Sequence, residues 1–192
     1  DGVVDYAEVL EEKALLKYMD KQYVATIKGV SDNYLYITRF DTVLVAGEAT
    51  LKDEEINYGL VGYGIYAALS VNNRDEFNPI IVSIPRHNYE MSSVNLNPEN
   101  AFNRGIIYPG GIFSIQQSVD DKYMIVPISF ARKMLELNTG VSSIEVIASS
   151  NANMDDLQKQ IQAIAGNSFT VKNRFEQNPL LYKVMNTEKW AV

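Results

Sequence analysis

Ala14-Leu-Leu-Lys-Tyr18 and Gln22-Tyr-Val-Ala-Thr-Ile-Lys-Gly-Val30 flank the short polar stretch Met19-Asp-Lys21, and this pair of runs sets the reading of the chain. Both are rich in β-branched and aromatic residues, and a three-residue polar break between two such runs is the signature of a β-hairpin. In the second arm, period-two spacing puts Tyr23, Ala25 and Ile27 on one face and Gln22, Val24, Thr26 and Lys28 on the other. Such a strand is half buried.

Working outward, Ser31-Asp-Asn33 offers a cap for a short helical turn from Tyr34 to Phe40, ahead of the apolar run Val43-Leu-Val-Ala-Gly47. From about residue 48 to 118 the texture changes to short apolar runs among Gly, Asn and Pro. Tyr58-Gly-Leu-Val-Gly62 reads as a strand, Ile65 to Leu69 as a brief helix and Ile80-Ile-Val-Ser-Ile84 as a buried strand. The polar stretch from Pro85 to Arg104 follows, and loops of that length inside compact domains are usually functional or mobile. Ile106-Ile-Tyr108 and Gly111-Ile-Phe-Ser-Ile115 resume strand character.

The last third is the most regular. Lys122-Tyr-Met-Ile-Val126 reads as a strand, and Pro127 opens a helix with Phe130, Met134 and Leu137 on one stripe, closed by Asn138 and Gly140. Ser143 to Ser149 reads as a further strand. The spacing of Met154, Leu157, Ile161 and Ile164 predicts a helix to about Ala165, with Asp155 and Asp156 in its first turn and Gly166 as its stop. Ser168 to Lys172 is expected to be the closing strand. A helix between two strands buries one face on a sheet, which predicts an α+β fold. Because the two chain ends share a texture that the middle lacks, a discontinuous part, 1–45 with 140–192, is expected to enclose an inserted β-rich part, 46–139.

Composition narrows the function. The chain has 192 residues, 46% of them hydrophobic and 21% charged, enough for a core and typical of a globular protein. Its formal charge of −7 and the lack of a dense Lys/Arg cluster argue against nucleic acid as a partner. Zero cysteines exclude disulfides, thiolate catalysis and Cys-ligated metals. No apolar run approaches the roughly 20 residues a membrane-spanning helix needs.

Few residues could carry chemistry. Gly62-Tyr-Gly64-Ile-Tyr-Ala67 fits a dinucleotide fingerprint, but the helix after it is short and repeated βαβ units are missing, so a tight strand-to-helix turn is expected. His87 is the only histidine, and without a second His, a Cys or spaced carboxylates it makes neither a metal site nor a triad. Asp120-Asp121 and Asp155-Asp156 lack the ligand spacing of a calcium loop and read as a turn and a cap. No catalytic, cofactor-binding or metal-ligating residue is therefore assigned. Among the twelve tyrosines, those at 18, 23, 58, 108 and 123 fall in strands, whereas Tyr34, Tyr36, Tyr89 and Tyr182 could be interface anchors.

The tail from Asn178 to Val192 opens with an N-cap and with Pro179 at the first helical position, and it carries no stop. Trp190 after Glu188-Lys189, at the edge of an apolar run, suits a helix reaching a membrane interface. This suggests a domain lying between two membrane segments. An ordinary amphipathic terminal helix fits the same residues.

In their order and spacing, Glu11 to Tyr18, Gln22 to Val30, Gly110-Gly-Ile-Phe-Ser-Ile115, Asp121-Lys-Tyr-Met-Ile-Val-Pro127 and Glu188-Lys-Trp190 resemble FtsX-type ABC transporter permeases. The likeness is greatest to lipoprotein-releasing, LolC/LolE-like permeases, in the region between their first two transmembrane helices, and spans nearly the whole chain. It departs where a Gly-Asp commonly precedes the strand at Ile80, since Asn72 to Pro79 stands there instead. The resemblance implies a MacB-like periplasmic core domain, with a membrane-proximal Porter-like part made from both chain ends and a Sabre-like part inserted. It further implies a domain that does no chemistry and needs no cofactor, in an inner-membrane protein of a Gram-negative bacterium. Its implied partners are a cytoplasmic ABC ATPase reached through the transmembrane part, a second permease copy or paralogue, the membrane through flanking helices, and a periplasmic carrier, lipoprotein or other envelope protein. A hairpin that recruits the carrier in lipoprotein-releasing members matches Arg86 to Arg104 by position, which makes Arg86, His87, Asn88, Tyr89 and Arg104 candidate partner-binding residues. Pro179, Tyr182, Met185 and Trp190 would lie on the helix coupling the domain to the membrane. Lipoprotein release is the expected activity; MacB-like efflux, FtsX-like control of cell-wall hydrolases and a free-standing periplasmic binding module are the alternatives.

Overall fold

The hairpin is the middle of a wide sheet. In a computed structural model that describes residues 2–72, 77–86, 101–173 and 176–177, β1 (Val3–Tyr18) and β2 (Lys21–Val30) pair antiparallel from Val9↔Val30 to Tyr18↔Lys21. Met19 and Asp20 are left as the turn, and Met19 takes the left-handed φ of 52° that tight hairpin turns demand. β1 starts eleven residues before Ala14, because Ala7 and Val9 are also buried. Glu8, Glu11 and Glu12 between them conceal the alternation in the sequence.

The other strands are β3 (Leu44–Gly47), β4 (Lys52–Asp53), β5 (Ile56–Gly62), β6 (Ile80–Pro85), β7 (Phe102–Phe113), β8 (Tyr123–Pro127) and β9 (Ser143–Ala148). The order is β3-β7-β6-β1-β2-β8-β5-β4, with β9 pairing β1. The two runs expected at Ile106 and Gly111 are one strand, β7, and Arg104 lies inside it rather than in a loop. Its first half pairs antiparallel with β6, and its second half pairs parallel with β5 and antiparallel with β3. Between them the β5 register slips, Gly59↔Pro109 being followed by Leu60↔Gly111. The bulge absorbs the Pro109-Gly110 pair that reads as a break in the sequence.

Two apolar clusters occupy opposite sides of the strands. Leu10, Ala14, Leu16, Ala25 and Ile27 join Val82, Ile107 and Met124 under α2 (Tyr63–Leu69) and α4 (Ile128–Met134). Ala7, Val9, Val30, Leu60 and Phe113 pack with Tyr34 of α1 (Tyr34–Ile37) and Phe40 of a 3-10 turn (Phe40–Val43). α4 comes so close to β2 that a Cβ on Gly29 would stand 2.5 Å from Cβ of Ala131 and 3.3 Å from Cα of Ile128. The helix stops at Met134, short of the expected Leu137: Glu136 turns left-handed at φ 57° and Leu137 is exposed. A further short helix, α3 (Gln117–Asp120), precedes β8.

By contacts the chain forms two compact units, Tyr6–Glu145 and a discontinuous one of Asp1–Asp5 with Val146–Val192. β1 and β2 are built into the same sheet as β5 to β8. In the discontinuous unit, α5 (Met154–Ala165) is capped by Asn153, whose side chain accepts from the N–H groups of Asp155 and Asp156, and ends at Gly166 with φ 68°. The strand expected at Ser168 to Lys172 does not form. Instead, amide side chains of α5 replace a ladder: Gln162 donates to the carbonyls of Gly166 and Phe169 and accepts from Val171 N–H, and Gln158 donates to Val171 O. The tail from Asn178 on lies outside the described residues.

Gly29→Ala should destabilise the 6–145 unit by about 1–3 kcal/mol through overpacking against α4, whereas Val24→Thr on the exposed face should stay within about 0.5 kcal/mol. Urea unfolding of both variants beside the parent protein measures this.

Candidate functional site

Of the residues singled out in the sequence, Arg86 and Arg104 lie within the described residues, and His87, Asn88, Tyr89, Pro179, Tyr182, Met185 and Trp190 outside them. The β6–β7 ladder runs from Ile80↔Ile107 to Pro85↔Phe102, and Arg86 N–H donates to Ala101 O at 2.9 Å beyond it. Residues 86 and 101 therefore leave the sheet side by side. The two arginines do not converge. Arg86 Nε donates to Asn103 Oδ1 at 2.6 Å, and its guanidinium stands 3.9 Å from Glu136, an exposed pair of little energetic weight. Asn103 in turn donates to Met134 O at 2.9 Å, tying the end of α4 to β7. Arg104 is the next residue along β7 and so sits on the opposite face, because strand side chains alternate.

That opposite face is the more informative surface. Register places Arg104 across from Ser83, Ser83 across from Leu15, and Leu15 across from Val24. The neighbouring row is Ile106, Ile81, Lys17 and Gln22. Four strands thus present Leu15, Val24, Ile81 and Ile106 together, with Val24 67% and Ile106 56% exposed, and the charges in these rows, Lys17 and Arg104, are both positive. In the sequence the Ile80 run reads as a buried strand. Only half of it is: Ile80, Val82 and Ile84 are buried and Ile81 is not.

The remaining sequence candidates find structural roles. Gly62 and Gly64 of the dinucleotide-like motif lie against Asp120 and Asp121, where any Cβ would collide with the Asp120 carbonyl or the Asp121 carboxylate. Close packing explains both glycines. The Asp120 carboxylate is buried and saturated, accepting from Ile115 N–H at 2.8 Å, from Gln116 N–H at 3.3 Å and from Ser114 Oγ at 2.8 Å, so it holds the turn into α3. Among the described residues, no group of three or more His, Cys, Asp or Glu is placed to hold a metal ion, and no helix is long and apolar enough to cross a membrane. Of the two described tyrosines read as interface anchors, Tyr36 is 86% exposed while Tyr34 is buried beneath Phe40.

A cation is largely enclosed in this unit as well. Lys28 is 14% exposed, donates to Glu145 and stands 5.1 Å from the centroid of the Tyr34 ring. Burial opposes its charge, but the neighbouring oxygens of Tyr34 and Glu145 outweigh that and carry the ammonium above the ordinary lysine range. Burial likewise raises the Tyr34 phenol, against the pull of Lys28. At neutral pH the phenol is un-ionised, so the carboxylate and the ring face hold the cation. A raised folded-state value means that this stabilisation is complete at neutral pH and disappears only as pH climbs through that value.

No protein-family model matches the sequence, and no curated relative does. Solved structures do match. The periplasmic region of MacB from Actinobacillus actinomycetemcomitans superposes with a TM-score of 0.55 at 14% identity, over 85% of this chain and 68% of that one. The extracellular domain of YknZ, a noncanonic ABC-type transporter from Gram-positive bacteria, superposes with a TM-score of 0.57 at 12% identity, over 90% of this chain and 83% of that one. At such identities the likeness is one of fold: the chain has the α+β architecture of these MacB-like extracytoplasmic domains.

Proposed function

We propose that this chain is the non-catalytic extracytoplasmic domain of an ABC transporter permease, which turns ATP hydrolysis by a cytoplasmic ATPase into movement outside the membrane. The observation that carries the reading is the fold, shared over 85–90% of the chain with domains of two such transporters. Lipoprotein release is the specific activity we assign, in a Gram-negative inner membrane, with a second permease copy or paralogue beside it. MacB-like efflux is the second reading, favoured by the likeness to MacB itself. In either case the Porter-like part, drawn from the two chain ends, lies next to the membrane, and the tail, which reads in the sequence as a helix beginning at Pro179 and carrying Tyr182, Met185 and Trp190, transmits the motion.

The partner, in this reading a periplasmic carrier, is received where β6 and β7 end: by Arg86, by the segment 87–100 with His87, Asn88 and Tyr89, and by Arg104 with the apolar rows beside it. Exposed apolar patches of this kind mark interaction sites, and a basic rim favours an acidic partner by steering encounter.

Arg104→Glu combined with Ile106→Asp should cut capture of the carrier by at least tenfold in pull-downs with the intact permease, at an unchanged melting temperature; undiminished capture would remove the face from the proposal. In reconstituted complexes, Met185→Pro should uncouple ATP hydrolysis from substrate release, since a proline inside a helix costs about 3 kcal/mol or more and breaks its hydrogen-bond ladder. His87→Ala should leave ATP hydrolysis intact, because in this reading the ATPase is a separate cytoplasmic protein, and any effect should fall on carrier capture alone. Full release by the Met185 variant would defeat the mechanical coupling, and ATP hydrolysis without any effect of substrate or carrier would defeat the transporter assignment.

A further inference from the structure

From residue 136 through the first two residues of β9, to 144, the chain has no buried or half-buried position. Leu137, Val141 and Ile144, its apolar members, all face solvent, and the backbone is left-handed at Glu136 and has φ 130° at Gly140. Hydrophobic burial therefore does not hold this crossing. Polar groups do. Arg132 donates from Nε and Nη2 to Gly140 O at 3.3 Å, while Nη2 also binds Glu8 at 3.0 Å. Ser142 N–H donates to Val9 O at 2.7 Å, and Ser142 Oγ accepts from Glu11 N–H at 2.9 Å. Last comes Glu145, gripped by the ammonium of Lys28.

We propose that residues 136–145 form a releasable strap whose closed state is set by this clasp of Arg132, Ser142 and the Lys28–Glu145 pair. Each net hydrogen bond to an exposed segment contributes little, and the strap meets the sheet through the first half of β9, which pairs β1 off the main strand path, so it opens locally without unfolding the remaining strands. The mostly buried Lys28 is the component least weakened by salt, which makes its pair with Glu145 the last part of the clasp to yield.

Hydrogen–deuterium exchange on the 192-residue chain tests the strap. Ser142→Ala, Glu145→Gln and Lys28→Met should each speed exchange of peptides covering residues 137–146 by about tenfold, with the β2–β8 ladder, Thr26 to Val30 against Tyr123 to Pro127, unchanged. Should Lys28→Met unfold the protein, the Ser142 and Glu145 variants carry the comparison. Since the chain has no cysteine, a Glu11→Cys/Ser142→Cys disulfide can fasten the crossing, and exchange there should fall below the parent level. Two results overturn the strap: exchange across 137–146 that none of the three substitutions alters, or strap and β2–β8 amides exchanging together in the parent protein, which would mean that the crossing opens only when the whole unit unfolds.

Discussion

The ladder between β1 and β2 has to satisfy two hydrophobic clusters at once, and the rest of the 6–145 unit is arranged around that demand. Even-numbered positions of β1, such as Leu10, Ala14 and Leu16, point into one cluster, while Ala7 and Val9 point into the other. A one-residue slip in register would exchange these sets and bring Glu11 and Lys13 into the interior, so register is strongly specified here. Antiparallel strands normally bury one face and wet the other. Here the second face is covered only towards Val9 and Val30, by Tyr34 and Phe40, and is left open at Leu15 and Val24. The exposed apolar rows are thus the uncovered continuation of a cluster, at the end where β6 and β7 flank β1.

Helices in this fold are short and are positioned by near-contact rather than by their own propensity. α2 and α4 have seven residues each, well under the length at which an isolated helix is stable in water. They persist because the strand under them carries glycine where backbone must approach. Gly29 admits Ala131 and Ile128 of α4, and Gly105 admits Phe130 and Met134. Gly62, at the N-cap of α2, and Gly64, within it, let that helix approach Asp120 and Asp121 at the end of α3. A glycine pattern that matches a phosphate-binding fingerprint in letters here reflects close packing, with α3 in the place where a phosphate would have to go.

Apolar burial and polar fastening divide the labour along the chain. Burial fixes the sheet and its helices, which gives them a single well-defined arrangement. The segments leaving that sheet are tied by side-chain amides, hydroxyls and charges: Arg132, Ser142 and Lys28 hold the crossing into β9, and Gln158 and Gln162 hold residues 169–171 on α5. Bonds of the second kind exchange readily with water. Such segments belong to the low-stability end of a protein, from which moving elements are drawn.

The sequence alone determined what depends on local periodicity and local punctuation. The hairpin at Met19-Asp20, the strand–turn–helix through Gly62, the strand at Ile80, the opening of α4 at Pro127 and the limits of α5 are all present as read, because alternation, capping and glycine stops act within a few residues. The α+β class followed from them. Tertiary structure decided whatever rests on partners distant in the chain. Pro109-Gly110 reads as a break and is a bulge, since β5 and β6 pair with the two halves of one strand. Ser168 to Lys172 has strand composition but finds glutamine side chains in place of a neighbouring strand. Arg86 and Arg104 stand near each other in the sequence of one hairpin yet fall on opposite faces, and Leu15, Val24, Ile81 and Ile106 become one surface only through the registers of three strand pairs. Composition tells that a side chain is apolar; which apolar side chains remain in water is set by what the fold lays over them.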